Sequence, residues 1–138
     1  MAKSKLSTRK SSRESGIASE FLVLSNLFRL GVDAFISLGN TKAIDIVIKA
    51  KNGSSISVDV KSVRDYSSIP INNVNPTNGH FVVVVIYKGK FSDPTVLPDF
   101  YIIPSVDVPG LGRAFGKEQR LFKTTIEKYK DKWDQLRV

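Results

Sequence analysis

Two acids and a lysine interrupt what otherwise reads as core sheet. The segment SISVDVKSV, residues 55–63, alternates as a half-buried strand does, with Ile56, Val58 and Val60 on one face and Asp59 and Lys61 on the other. The preceding AIDIVIKA alternates as well, with Asp45 between Ile44 and Ile46, and the KNGS between the two segments is a hairpin signal. Loop length decides the register. A two-residue Asn52-Gly53 turn sets Asp45 opposite Val60 and mixes the apolar and polar faces. A three-residue loop, Lys51-Asn52-Gly53 with Gly53 left-handed, pairs Ile48 with Ile56, Ile46 with Val58 and Ile44 with Val60. It also sets Asp45 across from Asp59, with Lys61 one step along. Cross-strand neighbours have Cβ atoms about 4.5–5.5 Å apart, and like charges there are destabilising unless something compensates. A divalent cation compensates; Lys61 does so more weakly. The chain has no cysteine and a single histidine, His80, which excludes thiolate and His-rich metal sites. A metal here is held mainly by oxygen, so a hard ion, Mg2+ or Mn2+, is expected.

The elements that must carry these groups follow from the rest of the chain. Its 138 residues suit one domain with one core. No apolar run approaches the roughly 20 residues of a membrane span, and a cytoplasmic location is expected. The net charge of +8 points to a polyanionic partner, nucleic acid before an anionic membrane surface. Residues 1–14 read as a flexible basic arm and residues 15–138 as the domain. Ser15 is a candidate N-cap and Gly31 a C-terminal stop for a helix whose apolar stripe is Ile17, Phe21, Leu24 and Phe28, with Leu27 beside them. Glu20 falls at the edge of that stripe, and helix geometry alone favours a surface glutamate over one leaning toward the sheet. VDAFISL, HFVVVVIYKG and DFYIIPS read as further strands, and the Val run from Phe81 to Ile86 as a central one. The stretch RDYSSIPINNVNPTNG is irregular, VPGLGRAFG is a loop, and residues 118–138 are helical with Leu121, Phe122, Ile126, Tyr129 and Trp133 inward. The predicted class is α/β: a single domain with a central mixed β-sheet flanked by helices.

Asp45, the triplet Asp59-Val60-Lys61 fourteen residues on, and Glu20 on a preceding helix together resemble the PD-(D/E)XK nuclease superfamily. The likeness covers about residues 15–64; Ile44 stands where the name has proline, and Asp59 where many members have glutamate. The resemblance implies a restriction-endonuclease-like αβββαβ core and a metal-dependent DNA endonuclease of restriction, repair or junction-resolving type. It implies Asp45 and Asp59 as metal ligands, the Val60 carbonyl as a further oxygen, and Glu20 acting on the metal, through water or at a second ion. Lys61 would orient the attacking water, stabilise the phosphorane or act as base. A homodimer fits nucleases of this size.

Two alternatives stand beside this one. The Asp59/Lys61 pair taken alone is a surface salt bridge of little energetic consequence, and a noncatalytic nucleic-acid-binding protein could retain the fold. Plasmid cleavage separates these from the enzyme. Lys3, Lys5, Arg9, Lys10 and Arg13 of the arm, and Lys42 in the loop before Asp45, are candidate phosphate contacts. His80 has no identifiable partner and reads as structural. Tyr129 and Trp133 read as core rather than base-stacking groups.

Overall fold

The computed structural model describes residues 5–37, 45–65, 68–71 and 73–138, with side chains from residue 13 onward apart from that of residue 115. In chain order the elements are α1 (Lys5–Arg29), β1 (Asp33–Ile36), β2 (Ile46–Lys49), β3 (Ser55–Val63), β4 (Ile69–Pro70), β5 (His80–Ile86), β6 (Asp99–Pro104), α2 (Val108–Leu111), β7 (Arg113–Phe115), β8 (Glu118–Leu121) and α3 (Lys123–Ile126). Short 3-10 turns over Ser105–Asp107, Glu127–Tyr129 and Trp133–Leu136 complete the set. The main sheet has five strands in the order β1-β2-β3-β5-β6, mixed in sense: only β3 and β5 run parallel. A second sheet of three strands, β4-β8-β7, lies beside it.

The hairpin forms in the three-residue register. Ile46 pairs with Val58 and Ile48 with Ile56, Ala50 N–H donates to the Ser54 carbonyl, and Gly53 takes a φ of 88°. That left-handed value is the reason for glycine in the loop. The Asn52 side chain accepts the Ser54 N–H at 2.9 Å and tightens the turn.

β5 is buried along nearly its whole length because both sheet faces are covered. On one face Val83 and Val85 join Val23 and Leu27 of α1, Ile46, Ile48 and Val58 of the hairpin, and Ile102. On the other, Val82, Val84 and Ile86 pack with Tyr101, Ile103, Leu121 and Ile126. Helix α1 ends as its sequence predicts. Gly31, at a φ of 78°, donates to the Phe28 carbonyl, and Val32 N–H reaches the Leu27 carbonyl, so the last turn's free carbonyls are satisfied.

Four expectations are corrected. Helix α1 extends back to Lys5, so Ser15 is an internal residue and not the N-cap; nothing between Lys5 and Ser15 breaks a helix. Its buried face is Ser15, Ser19, Val23 and Leu27 at successive i, i+4 positions, whereas Ile17, Phe21 and Phe28 of the predicted stripe are exposed. The C-terminal segment is no continuous helix. Residues 118–121 pair with β4 and β7, Phe122 is extended, and Asp131 at a φ of 55° ends the turns that follow. Tyr129 and Trp133 are still core groups; Trp133 packs on Phe100 at 5.3 Å. Finally, VPGLGRAFG is not plain loop, since α2 and β7 fall in it. The fold class stands, but among the described residues the connection from β3 to β5 carries the short strand β4 where the αβββαβ plan has a helix.

Candidate active site

The alternation that buries Val58 turns Asp59 and Lys61 to the opposite sheet face, beside Val82 and Val84 of β5. Asp59 is buried, at 4% exposure, and the β2 end brings Asp45 to it. Regular pairing of the hairpin stops at Ile46 and Val58. Beyond that point the Asp45 N–H donates to the Val58 carbonyl at 2.8 Å, and the Asp45 carboxylate accepts the Val60 N–H at 2.7 Å. A side chain thus takes over from the ladder at the last described residue before β2. Ile44 and its expected pairing with Val60 lie outside the described residues.

The electrostatics are those of two acids forced together. Asp45 is pushed up to about 6, chiefly by burial. The Val60 N–H opposes the rise, the charge of Asp59 and a carboxyl–carboxyl hydrogen bond add to it, and Lys61 lowers it slightly. Asp59 Oδ2 is buried with no hydrogen-bond partner. The Lys61 ammonium lies 3.3 Å from that oxygen, an ion pair without hydrogen-bond alignment. Lys61 instead donates to Asn73 Oδ1 at 2.8 Å, so its ammonium is held between a carboxylate and the loop before β5.

Glu20 enters from α1. Burial first, then the charges of Asp45 and Asp59, hold its carboxyl above the usual carboxylate range. The helix is fixed here by a buried polar contact: Ser19 Oγ donates to the Ser15 carbonyl at 2.6 Å and meets the Tyr87 hydroxyl at 2.7 Å. Glu20 is therefore close enough to feel both aspartates, but among the described residues no three acids or histidines form a metal-holding cluster. The donor set that the structure assembles is two carboxylates, with one oxygen buried and unpartnered. That oxygen chemistry fits a hard divalent ion, for which water and a backbone carbonyl would supply further oxygens.

Two neighbours were not foreseen as part of this region. His80 opens β5 opposite Ser57, on the same sheet face as Asp59, and its Nδ1 lies 2.7 Å from Ser57 Oγ. Burial holds its pKa below the ordinary value, and the charges of Asp45 and Lys61 both reach it. Asn73 sits in the irregular connection. Both depend on the parallel β3–β5 register, which no local pattern encodes. Of the candidate phosphate contacts, Arg13 is exposed on α1; Lys3 and Lys42, and the side chains of Lys5, Arg9 and Lys10, lie outside the described residues.

No family model matches the chain, and no curated protein does. Solved structures do. The Holliday junction resolvase Hjc of the archaeal hyperthermophile Archaeoglobus fulgidus superposes with a TM-score of 0.59 at 13% identity, over 88% of this chain and 95% of its own. A bacterial homing endonuclease superposes with a TM-score of 0.59 at 19% identity, over 90% of each chain. At such identities the likeness is one of fold. The five-stranded mixed sheet with α1 across one face is a restriction-endonuclease-like fold, the fold that the resemblance carried by Asp45 and Asp59-Val60-Lys61 implies.

Proposed function

We propose that this chain is a divalent-metal-dependent endonuclease that hydrolyses phosphodiester bonds in DNA. The observation that carries the reading is the carboxylate pair on a hairpin of a nuclease fold, Asp59 buried and Asp45 half-buried, with Asp59 Oδ2 unpartnered and Lys61 3.3 Å away. Asp45 and Asp59 would hold Mg2+ or Mn2+, with the Val60 carbonyl adding an oxygen and Glu20 contributing through water. The bound ion would neutralise phosphate charge and lower the pKa of a coordinated water. Lys61 sits beside these ligands, where its ammonium can orient the attacking water and stabilise charge developing on the phosphoryl oxygens. Lys3, Lys5, Arg9, Lys10, Arg13 and Lys42 supply sequence-independent attraction to the backbone, in keeping with the +8 charge.

The two structural neighbours, a junction resolvase and a homing endonuclease, name the substrates to try first: a four-way junction and long duplex DNA. Purified protein is incubated with each, with Mg2+, with Mn2+ or with chelator. Metal-dependent cleavage that Asp59→Ala abolishes is expected. If no DNA form is cut under any metal while DNA is still bound, the chain is a noncatalytic nucleic-acid-binding protein of this fold.

A further inference from the structure

We infer that α1 carries a self-association surface through which two copies of this chain pack as an antiparallel pair. The inference concerns the helix face turned away from the sheet. Ile17, Phe21, Leu24 and Phe28 follow one another at steps of four, three and four residues. That is the alternation of a helix–helix seam, in which apolar residues recur every 3.5 residues on average. The core does not take this stripe: Ile17 is 41% exposed, Phe21 59% and Phe28 57%, and Leu24 is only partly buried. The face that packs on the sheet is a different one, Ser15, Ser19, Val23 and Leu27. The helix therefore has two apolar faces and one sheet to cover. Three exposed large apolar side chains, two of them aromatic, on one seam of four positions are not the scattered single hydrophobics of an ordinary surface.

The pattern itself selects a second copy as occupant. Reversing the helix about its midpoint between Leu22 and Val23 exchanges Ile17 with Phe28 and Phe21 with Leu24, so the stripe is complementary to itself under a two-fold axis. Charge then fixes the direction. A parallel pair would set Glu14 beside the partner's Glu14 and Arg29 beside the partner's Arg29. An antiparallel pair brings Glu14, exposed near one end, to within about a turn of the partner's Arg29, exposed at the other. Ala18 and Ser25 flank the seam on one side and are small enough for helices to approach closely. On that same side a groove of about 400 Å³ lies between Ala18, Phe21 and Leu22 of the helix and Phe91, Val96 and Leu97 of the loop after β5. Leu97 is 70% exposed on its far wall, so the apolar surface extends past the helix toward the roughly 800 Å² per partner of a standard interface. The net charge of +8 on each copy opposes the approach, and salt screens it. Association through this face therefore strengthens as salt rises, opposite to binding of a polyanion.

The surface does not depend on the nuclease reading, and its test involves no DNA. Sedimentation of the full chain across a concentration series, at low and high salt, is expected to show a dimer favoured by concentration and by salt. Phe21→Glu is expected to halve the mass while circular dichroism stays that of wild type, and its melting temperature should match that of wild type at protein concentrations low enough for wild type to be monomeric, because Phe21 is exposed and outside the core. Orientation is read by cross-linking, which the absence of native cysteine makes clean. Ile17→Cys mixed with Phe28→Cys should oxidise to the mixed disulfide, and neither variant alone should cross-link to itself. Wild type that stays monomeric at every concentration and salt overturns the inference. So does a dimer whose mass Phe21→Glu leaves unchanged, and so does self-linking of either single variant, which would indicate a parallel pair.

Discussion

Replacing Asp45 by asparagine tests the electrostatic account of the site without any assay of activity. Asparagine keeps an oxygen to accept the Val60 N–H, 2.7 Å away in the native chain, so the hairpin end loses a charge and not a hydrogen bond. In the folded protein the Asp45 carboxyl is raised from 3.8 to about 6, first by burial and then, against the Val60 N–H, by Asp59. A folded pKa above the unfolded one means that the protonated form is the one folding prefers. The stabilisation linked to that proton is complete below the unfolded pKa, near 4, and is lost as pH rises through about 6. At pH 8 the folded chain carries the full burden of the charged group. At 1.36 kcal/mol per unit the rise corresponds to about 3 kcal/mol, and to about half that once solvent screening of a partly exposed group is allowed for. Urea denaturation in chelator should therefore find Asp45→Asn more stable than wild type by about 1–3 kcal/mol at pH 8. The difference should shrink to near zero by pH 4. Magnesium at pH 8 should raise the melting temperature of wild type, by mass action, and have little effect on the variant. A variant less stable than wild type at pH 8, or a difference independent of pH, would refute the argument that the apolar register forces an uncompensated acid into this site.

Three further outcomes are expected. Lys61→Met should lower metal-dependent cleavage by about 10²-fold or more, the usual scale for a group that acts on charge in the transition state, while isothermal titration still finds metal binding and electrophoretic shift still finds DNA binding. Asn73→Ala should lower cleavage by only about three- to tenfold, the effect of about 1 kcal/mol from one hydrogen bond to the ammonium; since Asn73 acts through Lys61, it should leave the Lys61→Met variant unchanged, and equal losses in both backgrounds would count against it. Deleting residues 1–13 should weaken DNA binding and flatten the slope of log K against log salt by about 0.9 for each phosphate contact removed, with circular dichroism confirming that the shortened α1 still folds; an unchanged slope would show that these residues make no such contact.

The hairpin was legible because two independent constraints met in it. Period-two alternation named the faces, and only a three-residue loop kept them apart, so register, turn type and the left-handed Gly53 followed together. The central strand was legible because six consecutive apolar residues, Phe81 to Ile86, need cover on both sides. The face of α1 was not. Periodicity measures where bulky apolar groups recur, and in this helix they recur outward; the sheet is met by Ser15 and Ser19, with the Ser19 hydroxyl bonded to the Ser15 carbonyl and to Tyr87. The C-terminal stretch misled for a different reason. Its apolar spacing suits a helix, but residues 118–121 have a strand partner in β4 on one side and β7 on the other, and tertiary pairing overrode local preference. Asn73 and His80 come to the site only through the parallel β3–β5 pairing, a contact between segments distant in sequence.

The same conflict that marked the hairpin in the sequence explains why its energetics and its chemistry are joined. Sliding β2 by one residue would separate Asp45 from Asp59, but it would also turn Ile46 and Ile48 out of the core, where both are fully buried. Burying an aliphatic side chain of that size is worth about 1.5–3 kcal/mol, so two of them outweigh the roughly one to three kilocalories that burying the Asp45 carboxylate beside Asp59 costs. The apolar pattern wins, and the acids are left together with Lys61 as the only cation paired to Asp59 among the described residues. Lys61 is a partial remedy, because its hydrogen bond goes to Asn73 and leaves Asp59 Oδ2 without one. On the proposed reading, a divalent cation would bind such a site with free energy drawn from relief of the repulsion as well as from the new ligand bonds. Metal affinity should then rise with pH through about 6, as Asp45 loses its proton, and calorimetric titration of Mn2+ into wild type at pH 5 and pH 8 measures it directly. Equal affinity at the two pH values would mean that Asp45 is not a ligand, whatever the fold of the chain.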